Sequence, residues 1–341
     1  NLNANNLSSG VVSPNVLPGF QSSSNYSAVA GGQNNVIAFS SSDHTFIGGG
    51  WNNTIGANDY EGTIAGGYYN MLLNNAGYSY IGGGEFNTNG SGQGTIGGGE
   101  NNNNSSSVGT IAGGQGNQAT GQYQSTVGGG YQNIASGSYG TVPGGFQNVA
   151  GGTSSFAAGS LGQATNTGAF VWSDNSGTIF ASTNNNSFNA RAAGGYRLYT
   201  SSSGVTGAGV YLAANGNSWT SVSDRNAKKN FKAVDYQAVL NKLASVPIQQ
   251  WNYKWESDQD VPNIGPMAQD FKHAFYPGRD DKGISTLEFD GVELAAIQGL
   301  NQKLEEQSAE NAALKRQNDS LAEQLNELKA EVKLLAQREK N

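Results

Sequence analysis

The 341-residue chain holds 50 glycines, is only 36% hydrophobic and carries a formal net charge of −7, a composition poor in the apolar side chains an ordinary globular core of this length needs. Its 10% aromatic content argues against a disordered polar linker. There is no cysteine, and the two histidines, His44 and His273, stand far apart, so no metal-ligand spacing exists, a metalloenzyme is disfavoured and no cofactor is expected.

Charge is unevenly spread. No lysine or arginine precedes Arg191, while Asp43, Asp59, Glu61, Glu85, Glu100 and Asp174 make the first 190 residues acidic. Phosphate backbones would be repelled there, and no nucleic-acid partner is expected. No apolar run approaches a membrane span, and Asn1 opens no basic-then-apolar leader, so we expect a soluble or processed segment without direct membrane insertion.

Residues 1–24 read as a connector, and 25–165 as a repeat array. An apolar residue followed by a small residue and two glycines recurs at Val29, Ile47, Ile64, Ile81, Ile96, Ile111, Val127 and Val142, spaced by 15 to 18 residues. Six positions after each stands an asparagine: Asn35, Asn53, Asn70, Asn87, Asn102, Asn117, Asn133 and Asn148. A degenerate copy follows at Phe156–Gly159, and irregular insertions near Asn58, Leu72 and Ser105 read as loops.

A unit this short cannot bury its own β-branched residue, so successive units must stack, each adding one rung to a narrow shared interior. Glycine permits tight corners and positive φ. Asparagine suits a left-handed turn, and its amide can bond to the equivalent amide one rung on. Trp51, Tyr68, Tyr131 and Phe146, just after the glycines, would lie along one line of this solenoid, where they could stack on sugars or simply pack as a ridge.

The run Thr126-Val127-Gly128-Gly129-Gly130-Tyr131-Gln132-Asn133-Ile134-Ala135-Ser136-Gly137 resembles the head repeat of trimeric autotransporter adhesins. That resemblance implies a left-handed parallel β-roll with three chains per stalk.

Residues 166–222 change character. Ala169–Trp172, Thr178–Ala181 and Tyr196–Tyr199 alternate like strands between Asn/Ser/Gly turns, which predicts a small β-rich neck. Charge and helix formers then increase, and Tyr236–Leu243 reads as a short amphipathic helix before Pro247.

Residues 297–341 predict a parallel coiled coil. With Ile297 at a, the a series continues Leu304, Asn311, Asn318, Leu325, Val332, and the d series reads Leu300, Gln307, Leu314, Leu321, Leu328, Leu335. The polar residues at Asn311, Asn318 and Gln307 weaken the seam while fixing register. Heptads alone do not decide between two and three strands.

Between neck and coil, at 223–296, lie Ser223-Asp224-Arg225-Asn226-Ala227-Lys228-Lys229, then Trp251-Asn252-Tyr253, then Asn263-Ile264-Gly265-Pro266-Met267-Ala268-Gln269-Asp270-Phe271. The combination resembles the intramolecular chaperone of phage tailspikes and endosialidases, the peptidase S74 family. The resemblance implies a domain that assists trimerisation of the fibre ahead of it and then cuts itself off between a serine and an aspartate. The cut needs that serine and a lysine five residues later, here Ser223, Asp224 and Lys228.

Independently, a serine hydroxyl becomes nucleophilic when a base removes its proton, and Lys228 or Lys229 could supply one. A serine attacking its own carbonyl would close a four-membered ring, so the dyad would act through water, an acyl shift or another chain. The Gly265–Asp270 stretch lacks the GK[ST] of a phosphate loop and reads as a turn entering a helix. Glu288, Asp290 and Glu293 read as a solvated helix start rather than a cation site.

The expectation is therefore a mainly β fibre. A solenoid stalk, a β-rich neck, an α+β chaperone domain and a coiled coil would form a homotrimer, extracellular on a virion tail, an injection device or a bacterial surface. Its catalysis would be a single autoproteolytic turnover without external substrate. The alternative is a module binding a host-surface glycan or receptor, with a non-cleaving cap. A glycan-degrading enzyme is disfavoured, because the repeats offer no evident carboxylate pair.

Overall fold

The structure, a computed structural model, describes residues 26–38, 42–200 and 209–338; the 1–24 connector lies outside the described residues. Contacts divide the chain into two compact units. One runs to Arg197 and includes Tyr211–Thr220; the other holds Leu198–Val210 and the chain from Ser221 onward.

The first unit is a parallel β-solenoid. Short strands alternate between an eleven-stranded sheet, from Ala28–Val29 to Phe188–Arg191, and a ten-stranded sheet, from Val36–Ile37 to Phe180–Ala181. Each strand pairs in parallel with its equivalent one coil on, as Thr63 and Ile64 do with Tyr80 and Ile81. Side chains alternate across a strand, so the first residue of each pair faces out and the second faces in. All eight apolar residues of the repeat are buried, from Val29 to Val142.

The other sheet lines the interior with Ile37, Ile55, Leu72, Asn89, Asn104, Ala119, Ala135 and Ala150. This second column changes side-chain size from rung to rung and has no fixed letter in the repeat.

The third wall is a ladder of amides. The eight repeat asparagines are buried. Asn102 shows the bonding: its backbone N–H and Nδ2 both donate to Asn87 Oδ1 at 3.0 Å, and Nδ2 also donates to the carbonyls of Gly98 at 3.0 Å and Gly114 at 2.9 Å. Its own Oδ1 accepts from the Asn117 backbone N–H at 3.0 Å. Asn102 is thus satisfied within the ladder, as burial requires.

The expected amide-to-amide bonds are present, but the repeat asparagine is not the left-handed residue. That conformation belongs to the residue before it: Asn34, Asn52, Tyr69, Phe86, Asn101, Gln132 and Gln147 have φ between 52° and 57°. A left-handed residue at that corner turns the following amide into the interior. The neighbouring ladder bonds hold even aromatic residues in a conformation they rarely adopt.

Glycine is required at the corner itself. Gly114 has φ +90°, and a Cβ there would stand 2.2 Å from the Gly130 carbonyl oxygen and 2.6 Å from Asn117 Nδ2.

The ladders run past residue 165, into the segment predicted as a neck. Phe156–Gly159, Phe170–Ser173 and Phe188–Arg191 are consecutive strands of the same sheet, with stacked phenyl rings 4.8 and 4.7 Å apart. These four-residue strands lack the Gly-Gly corner, so the repeat fades while the coil continues. Tyr196–Tyr199, Gly209–Leu212 and Thr220–Ser221 follow as a separate three-stranded sheet.

Among the described residues of the solenoid interior, Asn89 Nδ2, Ser155 Oγ and the carboxyl of Asp59 are buried without a hydrogen-bond partner, and the carboxyl is the costliest of these. Asp59 is fully buried, and neither carboxyl oxygen has a hydrogen-bond partner. Burial pushes its pKa up to about 7, opposed by the nearby Ala76 N–H, which already donates to the Leu73 carbonyl at 3.2 Å. Because the folded pKa lies above the ordinary 3.8, the unfolded chain ionises first. Stability is then lost as pH rises from about 4 to about 7. We expect Asp59→Asn to melt higher than the parent at pH 8, with the gap closing below pH 4, as read by thermal scans across that range; parallel curves would refute this.

In the second unit, α1 (Tyr236–Ser245) is capped by Asp235, whose side chain accepts from the Ala238 N–H at 3.0 Å, and it ends at Val246, before Pro247. A hairpin of Gln249–Trp251 and Asn263–Gly265 follows, then α2 (Ala268–Phe275) and the 53-residue α3 (Thr286–Arg338). The first turns of α3 pack on α1: Gln237 Nε2 donates to the Gly299 carbonyl at 2.8 Å, and a Cβ on Gly299 would lie 2.4 Å from the Tyr236 carbonyl oxygen. Only Val292, Ala296 and Gly299 of α3 are buried.

Candidate active site

Asp224 has extended backbone angles and caps the short 3-10 turn Arg225–Ala227. Its Oδ1 accepts from the Asn226 backbone N–H at 2.9 Å and from Asn226 Nδ2 at 3.2 Å. The Ala227 N–H then donates to the Asp224 carbonyl, and the Lys228 N–H to the Arg225 carbonyl, both at 3.1 Å. This single tight turn brings Lys228 back over the residue before the cap. Lys228 Nζ donates to Ser223 Oγ at 2.6 Å.

The two side chains that the family resemblance singles out therefore meet, at a distance suited to proton exchange. Both are exposed, so water reaches them. When the amine is neutral it can take the hydroxyl proton, and the alkoxide or a water held beside it becomes the nucleophile. Asp224 has a second part that the resemblance did not suggest, as the cap that shapes the turn.

Glu288 is committed elsewhere. The Lys272 ammonium beside it, followed by the Ser285 N–H and the Arg279 guanidinium, holds its carboxyl down to about 2. It bonds Lys272 Nζ, Arg279 Nη1 at 2.7 Å and the Ser285 N–H at 3.1 Å, so it tethers α2 and the following loop to the start of α3. Asp290 and Glu293 are exposed, and among the described residues no cluster of three or more metal-ligating side chains occurs.

Residues 223–278 match the Peptidase_S74 family, described as the chaperone of endosialidase. This segment is an S74 chaperone domain. No curated protein matches the chain. The S74 match opens on Ser223 itself and takes in the 3-10 turn, α1, the hairpin and α2. At the centre of the domain, fully buried Phe271 packs its ring against those of Phe275, Tyr276 and Phe289.

The expected aromatic line lies outside the S74 segment. Trp51, Tyr68, Tyr131 and Phe146 fall on one ladder of single-residue bridges, which passes through Glu85, Glu100 and Gln115 between the two pairs. Trp51 and Tyr68 meet edge to face at 5.1 Å, and Tyr131 and Phe146 stack at 5.5 Å. Tyr69 and Phe86, stacked at 5.5 Å in the adjacent left-handed column, extend the first pair. Sequence reasoning missed them because that column has no consistent residue type.

Among the described residues no helix is long and apolar enough to cross a membrane.

Proposed function

We propose that the chain is part of a homotrimeric fibre on a virion tail, an injection device or a bacterial surface. The solenoid is the stalk, and the S74 domain aligns three copies before severing itself at Ser223–Asp224. The observation that carries the assembly step is the apolar seam of α3, left uncovered in a single chain. Ile297, Leu300, Leu304, Leu314 and Leu321 are each at least half exposed at heptad spacing. The S74 hairpin adds Trp255, Val261 and Ile264, exposed by 79, 90 and 70%.

Isolated apolar surface of this kind marks an interface. The choice of three copies rests on the resemblance to S74 fibres and adhesin heads. A clamp of unique register is useful here, because a slip by one rung would keep nearly the same ladder contacts. The polar Asn311, Asn318 and Gln307 restrict the coil to one alignment.

Light scattering on Ser223→Ala, which keeps α3 attached, should give three times the chain mass. With Leu314→Glu and Leu321→Glu together, which place charge in the seam, it should give the monomer; an unchanged assembly would remove α3 from the role.

Cleavage consumes one water, leaving a carboxylate on Ser223 and an amine on Asp224. Ser223 attacking its own carbonyl would close a four-membered ring. The bond is therefore cut by Ser223 of another copy or by water held at Ser223 and Lys228. Either route makes assembly irreversible, since the trimer loses the element through which it would reopen.

A further inference from the structure

A groove of about 520 Å³ runs along the outside of the solenoid where two columns face each other. One is the left-handed column, with Asn101, Gly116, Gln132 and Gln147; the other is the outward column of the ten-stranded sheet, with Gln118, Ile134, Val149 and Gln163. Its polar lining is carboxamide throughout, without a carboxylate or a cation.

Gly116 makes the opening. Its φ is +67°, but other rungs seat Asn, Tyr, Phe or Gln in the same left-handed conformation, so the backbone does not demand glycine. What it removes is a side chain: a Cβ there would lie 3.2 Å from Gln132 Cγ. Further toward the N-terminus the two columns carry Tyr69, Phe86 and Met71 instead.

We propose that this groove binds a neutral, hydroxyl-rich chain, an uncharged oligosaccharide lying along the fibre axis. A carboxamide both donates and accepts, as a sugar hydroxyl does. Gln147 Nε2 donates to Gln132 Oε1 at 2.8 Å, which commits one atom of each carboxamide and leaves Gln132 Nε2 to donate to a ligand and Gln147 Oε1 to accept from one. Among the described residues, the side chains of Gln118 and Gln163 have no hydrogen-bond partner. Ile134 and Val149 offer apolar strips for the C–H face of a ring.

Charge decides against anionic ligands, because no lysine or arginine precedes Arg191. The lining spans successive rungs, which fits a chain better than a single ring. The inference does not depend on cleavage or on the chaperone reading.

The test screens the full-length protein against linear glucan, mannan and galactan oligosaccharides beside sialylated and sulfated ones. Binding to at least one neutral chain is expected, weakened on the order of tenfold or more by Gly116→Gln and by Gln132→Ala with Gln147→Ala, with melting temperature and assembled mass unchanged. Absence of neutral-glycan binding, preference for the charged glycans, or full affinity in Gly116→Gln would overturn the proposal. A changed assembled mass in Gly116→Gln would overturn it too, by making the groove a contact between copies.

Discussion

Ser223→Ala is expected to run as one intact species of about 35.4 kDa, whereas the parent gives two fragments, one ending at Ser223 and one beginning at Asp224. Intact mass spectrometry reads the difference directly, and because the chemistry is single-turnover the effect is nearly all or none. Lys228→Met and Lys228→Arg should behave like Ser223→Ala, since neither supplies a neutral amine at Ser223 Oγ. Lys229→Met should still cut, because the serine is met by Lys228 and not by its neighbour.

Mixing inert and active copies separates the two routes. If a tagged Ser223→Ala chain is cut when co-assembled with the parent, the nucleophile comes from another copy; if it stays whole beside a cut parent, each chain cuts itself through water. Equal cleavage of Ser223→Ala and the parent would end the dyad reading.

Asn102→Asp should be the most damaging isosteric change in the stalk. Asn102 Nδ2 donates to Asn87 Oδ1 and to the carbonyls of Gly98 and Gly114. An aspartate would set an oxygen against those three acceptors inside a buried ladder. Leaving one buried polar group unpaired costs about 1–3 kcal/mol, and here several lose their donor while a carboxyl group is buried with them. A loss of at least about 4 kcal/mol follows.

Asn102→Ala is the control, since it removes the same donors without adding charge, and should cost less. Both are measured by chemical denaturation of the assembled protein. Equal stability of the two variants would mean that the buried ladder tolerates charge and that its role is only to fill space.

The stalk was legible where rung geometry dictates residue type. An inward β-branched residue, a glycine corner such as Gly114 and a buried amide such as Asn102 each have one physical solution, so they repeat. The second inward column was hidden, because Leu72, Asn89 and Ala119 fill equivalent places with different side chains. The left-handed residues were hidden too: Tyr69 and Phe86 at φ 54° contradict local preference and are held by ladder bonds on both sides.

Residues 170–191 were placed in a neck because longer strands dispense with the Gly-Gly signal while keeping the pairing. At the dyad, the motif resemblance named the pair, and spacing alone did not, because a separation of five residues faces nothing in a regular α-helix. Only the 3-10 turn, and the Asp224 cap that makes it, bring Lys228 to Ser223.

The solenoid also works as a ruler. Neighbouring strands lie about 4.8 Å apart, so the eleven strands of the larger sheet span about 48 Å along the ladder. A whole coil gained or lost would alter the fibre's reach by one fixed step and leave both ends unchanged. The extra residues of longer repeats expose side chains such as Asn58 and Asn75 and add nothing to the pitch. Reach and surface decoration can therefore vary independently, the first in discrete units and the second without limit from the ladder.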